Sequence, residues 1–292
     1  MSSDPLVVAH RGYKDKYPEN TLSAFKGAVS IGVDVIETDL QVTKDGIIVI
    51  SHDPSTGRTF NEDVVIANTN LEDLKKLKNK QDPDETLPSF EELLTWFVGT
   101  GGKTKLMLDI KSYHNVSILA KIIREFLNVK NDLSFWYDKI IFGLWTLPFF
   151  ELALNTGLLD NFEIINITIS PTAASKFLKR SLEANNPKVF LKGVSLLHVS
   201  LLSSEFEQIF EEFQAHDIDL YTWTSNTEDS FKISYNYKAR GIVTDNPVEL
   251  QAFIRTHPVG ATITKYVAPS FFSQAGLQLS VRFAFFRVFE FI

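Results

Sequence analysis

Ionisable side chains stand where successive apolar runs of the sequence end. These residues are His10 and Arg11, Glu37 and Asp39, His52 and Asp53, and Asp109 and Lys111. Glu37 and Asp39 are two residues apart, so on a β-strand both side chains project to the same face. If Asp109 joins them, three carboxylates repel one another, and a divalent cation relieves that repulsion. Oxygen ligands favour Mg²⁺ or Ca²⁺ over Zn²⁺, so the sequence predicts one such ion.

Two histidines, His10 and His52, are expected at the same edge as the carboxylates. One neutral and one protonated imidazole form a base and an acid near neutral pH, and the residues alone do not assign the two roles. Arg11 and Lys111 would face an anionic ligand beside the metal. A metal, cations and an acid–base pair together favour phosphoryl transfer by electrostatic stabilisation. The sequence contains no Walker or kinase loop, so no nucleotide is expected as a partner.

Several of these residues also have a purely structural interpretation. A single histidine at a strand end is usually structural, and an isolated Glu-x-Asp pair is usually solvated. Residues 244–247, Thr-Asp-Asn-Pro, are interpreted as the cap of a helix over 247–255 rather than as catalytic. Trp223 is interpreted as a wall of the site that contacts substrate. A functional site is favoured because ionisable groups recur at several consecutive strand ends.

The sequence contains eight apolar runs that have the length of a β-strand. They span residues 6–10, 34–40, 105–111, 139–144, 162–169, 192–197, 217–223 and 240–244. Helix-period patterns such as 115–129 and 203–214 fill most gaps, and the sequence from Ser89 to Glu92 is a capping box. Alternating strands and helices predict parallel pairing with right-handed crossovers. Eight such units fit an α/β fold, a TIM-like (β/α)8 barrel, whose active site lies at the carboxyl ends of the strands.

A ninth apolar run, 47–51, follows the second strand after only Lys44-Asp45-Gly46. No crossover helix fits into three residues, and Asp-Gly is a hairpin signal. The sequence therefore predicts a short β-hairpin insertion over 41–52, which returns His52 to the level where the second strand ends.

Composition limits the function classes. The 292 residues carry a net charge of -7, so nucleic acid is not an expected partner. The chain has no cysteine, which excludes disulfides, thiolate metal sites and a cysteine nucleophile. The N-terminus shows no basic region followed by an apolar stretch, so an intracellular, cytosol-facing location is expected. The length suits one barrel over 1–257 followed by a tail over 258–292.

The tail is rich in aromatic residues, since seven of the 24 phenylalanines follow residue 270. Arg282, Arg287 and Glu290 interrupt it, whereas a spanning helix needs about 20 mainly apolar residues. Insertion into one leaflet is therefore favoured over a span, with a helix packed under the barrel as the alternative. A membrane surface is thus an expected partner, and the protein would be peripheral or monotopic on the endoplasmic reticulum, a lipid droplet or a mitochondrion.

In order and spacing, the motifs of residues 6–247 together resemble the glycerophosphodiester phosphodiesterase family. They are His10-Arg11-Gly12, Pro18-Glu19-Asn20-Thr21, Glu37-Thr38-Asp39, His52-Asp53, Leu108-Asp109-Ile110-Lys111, Trp223-Thr224 and Thr244-Asp245-Asn246-Pro247. The resemblance implies a TIM-like barrel with the short hairpin insertion, a divalent metal ion and a pair of catalytic histidines.

The resemblance also implies roles for single residues. It makes Glu37, Asp39 and Asp109 the metal ligands, His10 and His52 the acid–base pair, Arg11 and Lys111 the phosphate contacts, and Glu19 and Asn20 the rim support. The family usually has Glu at the position of Asp109. The shorter side chain would bind the metal through water or sit deeper.

Segments 129–136, 143–145 and 267–270 are similar to a fungal branch of the family that cleaves phosphatidylglycerol as a phospholipase C. That similarity implies a glycerophospholipid substrate and attack of the headgroup 2-hydroxyl on phosphorus. A cyclic glycerol phosphate, diacylglycerol and finally glycerol 3-phosphate would result. The alternatives are a soluble glycerophosphodiester phosphodiesterase, a lysophospholipase D and, in another class, a non-catalytic lipid-binding barrel.

Overall fold

The computed structural model describes residues 4–100 and 102–258, and nine strands lie in this part of the chain. They are β1 (Leu6–His10), β2 (Val35–Val42), β3 (Ile48–Ile50), β4 (Lys105–Ile110), β5 (Ile140–Leu144), β6 (Glu163–Thr168), β7 (Leu191–Leu197), β8 (Asp219–Trp223) and β9 (Gly241–Thr244). Eight of them pair in parallel in the order β1-β9-β8-β7-β6-β5-β4-β2, and β1 also pairs with β2. The sheet is therefore a closed barrel, and β3 joins it antiparallel to β2.

Helices connect the strands. They are α1 (Leu22–Ser30), α2 (Leu71–Leu74), α3 (Phe90–Gly99), α4 (Ile118–Val129), α5 (Leu133–Tyr137), α6 (Leu147–Thr156), α7 (Pro171–Ala184), α8 (Ser204–Ala215), α9 (Glu228–Asn236) and α10 (Pro247–Thr256), with 3-10 helices at Ile66–Asn68 and His198–Leu202. The capping box predicted at Ser89 is present. The Ser89 hydroxyl accepts from the Glu92 N–H, and the Glu92 carboxylate accepts from the Ser89 N–H. The predicted (β/α)8 barrel is confirmed.

Apolar side chains form two layers around the barrel wall. The larger layer lies between strands and helices and includes Phe25, Phe126 and Trp136, all fully buried. The inner layer fills the barrel with side chains such as Ile165 and Tyr221. Because close-packed side chains occupy the interior, polar groups that need a ligand or solvent can lie only at the barrel ends.

The hairpin after β2 is also present, with one difference from the prediction. Leu40 pairs with Ile50, and Ser51 N–H donates to the Asp39 carbonyl at 3.1 Å, which places the next residue beside the end of the barrel strand. β2 continues to Val42, so the turn is confined to residues 43–47. Gly46 takes a φ of +83° there, in the left-handed region that glycine tolerates.

The predicted tail and its membrane contact lie outside the described residues. The last described helix, α10, ends at Thr256. Within residues 4–100 and 102–258, no helix combines the length and the apolar character that a membrane span requires.

Glu125 of α4 makes the stability of the fold depend on pH. Burial raises the pKa of its carboxyl to about 7, and Glu91 adds to the rise. A group whose folded pKa exceeds its unfolded value of about 4.3 destabilises the fold progressively as pH rises between these values. We expect Glu125→Gln to raise Tm by about 2–4 °C at pH 8, and by less at pH 5, in calorimetry. Glu183→Gln, on the exposed face of α7, is the control, and an equal shift at both pH values would contradict the prediction.

Candidate active site

Three buried carboxylates form an acidic cluster at the carboxyl ends of β2 and β4. Strand register places Asp39 beside Asp109, and Glu37 lies two residues earlier on the same face. One oxygen from each lies within 4.8 Å of the others, and the three residues are only 1–6% exposed. This all-oxygen set fits a divalent cation, and the shorter Asp109 still reaches the cluster.

Two cations partly compensate the acidic cluster. Lys111 Nζ lies 2.8 Å from Asp39 Oδ1 and 2.6 Å from Asp109 Oδ2, and Arg11 Nε lies 3.3 Å from Asp39 Oδ2. Burial would raise the pKa of Asp39, but Lys111 and Arg11 hold it well below its usual range. The pKa of Glu37 is instead raised well above its usual value, by burial and then by the other two carboxylates. The three carboxylates thus cannot all ionise without cost, and a bound cation would stabilise the ionised form of Glu37.

Trp145, at the end of β5, orients one of these carboxylates. Its indole N–H donates to Asp109 Oδ1 at 2.6 Å, while Lys111 Nζ donates to Asp109 Oδ2. The Lys111 ammonium also lies 5.6 Å from the centroid of the Trp145 ring. Both oxygens of Asp109 therefore have a donor, which fixes the plane of the carboxylate.

We expect Trp145→Phe to weaken divalent-ion affinity about tenfold, because partners that orient metal ligands contribute on that scale. The measurement is the metal concentration that gives half of the full rise in Tm, which does not depend on activity. Trp223→Phe is the matched control, since that indole donates to the Ser195 carbonyl at 3.0 Å. Equal affinities in wild type and Trp145→Phe would contradict the prediction.

His10 is the last residue of β1. Its side chain pairs with a carboxylate that follows β9, the strand that closes the barrel against β1. Its Nδ1 lies 2.5 Å from Asp245 Oδ1, and its Nε2 lies 4.0 Å from Glu37 Oε2. Burial lowers the pKa of His10, and the bond to Asp245 opposes that shift only in part. Burial would raise the pKa of Asp245, but the hydrogen bond to His10 helps to lower it to about 2. The pair thus fixes Nδ1 and leaves Nε2 on the cavity side.

The interpretation of residues 244–247 as a helix cap was wrong for Asp245. The helix does begin at Pro247, but Asn246, at its N-cap position, makes no capping side-chain bond. Asp245 instead binds His10 and accepts from Asn226 Nδ2 at 2.8 Å. A cap depends on neighbours in sequence, whereas this pairing joins β9 to β1 and exists only once the barrel closes.

His52, on the return of the hairpin, has a carboxylate partner of its own. Its Nδ1 lies 2.6 Å from Asp53 Oδ1. The two histidines therefore share one arrangement, a ring nitrogen held by an aspartate, although one comes from a barrel strand and the other from the insertion. The sequence places Asp53 among the ionisable residues at the strand ends but does not predict its bond to His52.

Glu19 and Asn20, from the loop before α1, lie behind the cationic side of the site. Arg11 Nη1 donates to Glu19 Oε1 at 2.9 Å, and Asn20 Nδ2 donates to Asp39 Oδ2 at 3.0 Å. Arg11 and Asn20 both have a φ of +56°, a backbone strain that bonds such as Asn20 N–H to the Arg11 carbonyl stabilise. The loop thus orients Arg11 and Asp39 together.

One cavity of about 400 Å³ joins these groups. Its polar lining includes both histidines, Arg11, Glu37, Asp109 and Lys111. Its apolar lining is formed by Met107, Trp145, Ile167, Trp223 and Val243. Trp223 lies edge-on to Trp145 with ring centroids 5.9 Å apart. The cavity therefore combines charged groups with apolar and aromatic surface.

Sequence reasoning missed two residues that contact other residues of the site, Arg58 and Trp145. Arg58 donates to both Asp53 and Glu19. Its only sequence signal is its place in the loop after the His52-Asp53 motif. Trp145 had been noted as part of a similar segment without a chemical role, although it follows a strand end as the other site residues do.

A barrel with this arrangement of carboxylates and histidines at its carboxyl end defines a phosphodiester hydrolase. The chain belongs to the glycerophosphoryl diester phosphodiesterase family, whose model matches residues 10–249. It is 26% identical to a lysophospholipase D from Rattus norvegicus, over 85% of each chain. It is 24% identical to a glycerophosphodiester phosphodiesterase from Caldanaerobacter subterraneus, over 86% of this chain and 98% of the relative.

The fold is shared with solved structures of the family. A glycerophosphodiester phosphodiesterase from Thermotoga maritima superposes with a TM-score of 0.67 at 21% identity, over 87% of this chain and 98% of that one. The match of the family model to residues 10–249 confirms the family assignment from the sequence. The similarity to a phosphatidylglycerol-cleaving branch stays a prediction.

Proposed function

We propose that the protein hydrolyses the phosphodiester bond of glycerophosphodiesters and lysophospholipids, with one Mg²⁺ or Ca²⁺ ion held by Glu37, Asp39 and Asp109. The observation that carries the proposal is the cavity, which is lined by Glu37 and Asp109 of the acidic cluster, by both histidines and by apolar side chains. A glycerophosphate group matches the charged lining residues, and the single acyl chain of a lysophospholipid matches the apolar ones. The names of two relatives, lysophospholipase D and glycerophosphodiester phosphodiesterase, support this substrate class.

The histidines would move the protons of the reaction. The Nδ1 atom of each imidazole is hydrogen-bonded to a carboxylate, which leaves Nε2 for proton transfer. One imidazole accepts the proton of the attacking hydroxyl, and the other protonates the departing alcohol. Arg11 and Lys111 bind the phosphate, and the bound metal supplies Lewis-acid stabilisation of its oxygens. The neighbouring Glu19 and Asn20 keep Arg11 and Asp39 in place.

The nucleophile in this proposal is the glycerol 2-hydroxyl. Its oxygen forms a bond to phosphorus while the ester bond to the leaving alcohol breaks, which gives a cyclic phosphate. Water then opens the ring to glycerol 3-phosphate or to its acylated form. An analogue without the 2-hydroxyl would bind but not turn over by this route.

Phosphatidylglycerol is the second candidate substrate. Trp145 belongs to one of the segments similar to the branch that cleaves this lipid, and its side chain lines the cavity. The headgroup glycerol would then provide the 2-hydroxyl, and diacylglycerol would leave. Both candidates use the same side chains and differ in which alcohol departs.

The deciding experiment uses the full-length protein with glycerophosphoglycerol, a micellar lysophospholipid and phosphatidylglycerol liposomes, each with and without Mg²⁺ or Ca²⁺. Metal-dependent release of glycerol 3-phosphate or lysophosphatidic acid from the first two substrates would support the main proposal. Diacylglycerol with glycerol 3-phosphate from the liposomes would favour the second candidate. No cleavage of any substrate would contradict both.

Membrane association through residues 258–292 stays a prediction from composition. Sedimentation of the protein with the same liposomes tests it in the same experiment. Protein that remains in the supernatant while cleaving glycerophosphoglycerol would support a soluble enzyme of the family.

A further inference from the structure

Arg58 lies on the loop that follows His52 and contacts carboxylates from two different parts of the chain. Its Nη2 and Nη1 donate to the two oxygens of Glu19 at 2.6 and 3.0 Å, and its Nε donates to Asp53 Oδ2 at 2.6 Å. One planar guanidinium thus joins the insertion to the loop before α1. Two-pronged contacts of this kind fix orientation as well as distance.

The two carboxylates bound by Arg58 contact different residues of the proposed active site. Asp53 binds the His52 imidazole, while Glu19 binds Arg11, which in turn approaches Asp39 of the acidic cluster. The chain of contacts therefore runs from the proposed acid–base group to the proposed phosphate contact through Arg58 and Glu19, which do not line the cavity.

The two ends of this chain of contacts do not depend on Arg58 equally. The Glu19 side chain is 8% exposed, and its oxygens also lie 2.9 Å from Arg11 Nη1 and 3.8 Å from Lys14 Nζ. In the described part of the chain, the ionic and hydrogen-bond partners of the Asp53 carboxylate are Arg58 and His52. Burial would raise the pKa of Asp53, and the hydrogen bonds from Arg58 and His52 reverse that shift and lower it. Loss of Arg58 would therefore disturb His52 more than Arg11.

We propose that Arg58 is a positioning residue that holds the Asp53–His52 pair in register with Arg11 and the acidic cluster. The inference rests on the proposed function, because it needs His52 to take part in proton transfer. The insertion supplies one of the two histidines, and bonds to its backbone hold it, such as Ile50 N–H to the Pro88 carbonyl and Gln41 Nε2 to the His52 carbonyl. Arg58 adds a contact of another kind, because it holds the Asp53 side chain that binds the imidazole.

The alternative is that Arg58 only stabilises its own loop. That loop already has local bonds without Arg58: Gly57 N–H donates to Asp63 Oδ1 at 3.0 Å, and Thr56 Oγ1 donates to the Glu62 carbonyl at 2.7 Å. Asp63 accepts from the loop backbone, and it makes no ion pair or hydrogen bond with His52 or Arg11. Asp63→Ala is therefore a matched variant that loosens the same loop and leaves the ionic contacts intact.

The test compares wild type, Arg58→Gln, Arg58→Lys and Asp63→Ala at saturating metal. We expect Arg58→Gln to lower kcat about tenfold or more with KM changed less than about threefold, since small misplacement of reacting groups acts on the chemical step. Lysine, which cannot span two carboxylates with a planar fork, should restore only part of the rate. In ring ¹H–¹⁵N spectra, the His52 signals should move and the His10 signals should not.

Equal kcat values for Arg58→Gln and Asp63→Ala, or unmoved His52 signals, would overturn the proposal. Thermal unfolding of each variant shows whether the loop or the whole barrel has lost stability. If wild type hydrolyses none of the substrates, the proposed function fails instead. The His52 spectrum still reports on the positioning contact, because it needs no turnover.

Discussion

Replacing His10 by alanine is expected to lower kcat at least about 10³-fold on any substrate that the wild type cleaves, with the barrel still folded. General acid–base catalysis contributes roughly 10²–10⁴-fold, and the loss of one member of an acid–base pair removes its share. His10 also carries the bond to Asp245, so the variant leaves that carboxylate without its imidazole partner. Product assays at several pH values, with circular dichroism on the same samples, measure the effect.

His114→Ala is the control for this result. His114 also lies near the rim and follows β4, but its Nε2 contacts the Leu40 carbonyl at 2.8 Å, and the residue is not on the cavity wall. We expect less than a fivefold change in kcat for this variant. A folded His10→Ala protein with more than a tenth of the wild-type rate would refute proton transfer by His10.

Replacing Glu37 by glutamine should have two opposite effects. It should lower kcat/KM at least about 10²-fold and abolish the rise in Tm that Mg²⁺ or Ca²⁺ produces, because a neutral amide is a poor ligand for these ions. Without added metal, however, the variant should unfold at a higher temperature than the wild type. Burial and the two neighbouring carboxylates raise the pKa of Glu37, which destabilises the metal-free fold near neutral pH. The substitution removes that cost, while the amide oxygen can still accept from Arg11 N–H, now at 2.9 Å.

Glu163→Gln at the other end of the barrel separates this effect from general charge removal. Glu163 Oε2 lies 2.8 Å from Lys105 Nζ, so its loss should leave the metal-induced rise in Tm intact and should not stabilise the metal-free protein. Persistence of the full metal effect in Glu37→Gln would show that the ion binds elsewhere.

The strand and helix pattern was readable from sequence because it depends on local periodicity. Eight apolar runs with helical intervals predict a barrel, and Asp45-Gly46 predicts the hairpin, since each signal depends on residues a few positions apart. The spacing of Glu37 and Asp39 likewise places both side chains on one face. Their meeting with Asp109 follows once parallel pairing is assumed, because the strand ends then share one edge.

Contacts that cross the barrel could not be read in the same way. Asp245 follows the last strand and looks like a cap, yet closure of the sheet brings it to the first strand and His10. Trp145 and Asp109 are 36 positions apart, and Glu19 and Arg58 are 39 apart. No local pattern encodes which of many polar side chains will lie opposite one another after the chain has folded.

The sequence by itself thus determined the fold class, the edge at which the ionisable groups gather and the kind of ion that they suit. Residue type and short spacing carry that information, since a strand has a fixed period and a ligand set has a fixed chemistry. Tertiary structure alone decided which carboxylate holds each histidine, which donor orients Asp109 and how Arg58 joins the insertion to the rim. Those choices depend on distances between segments remote in sequence, and only the closed barrel sets these distances.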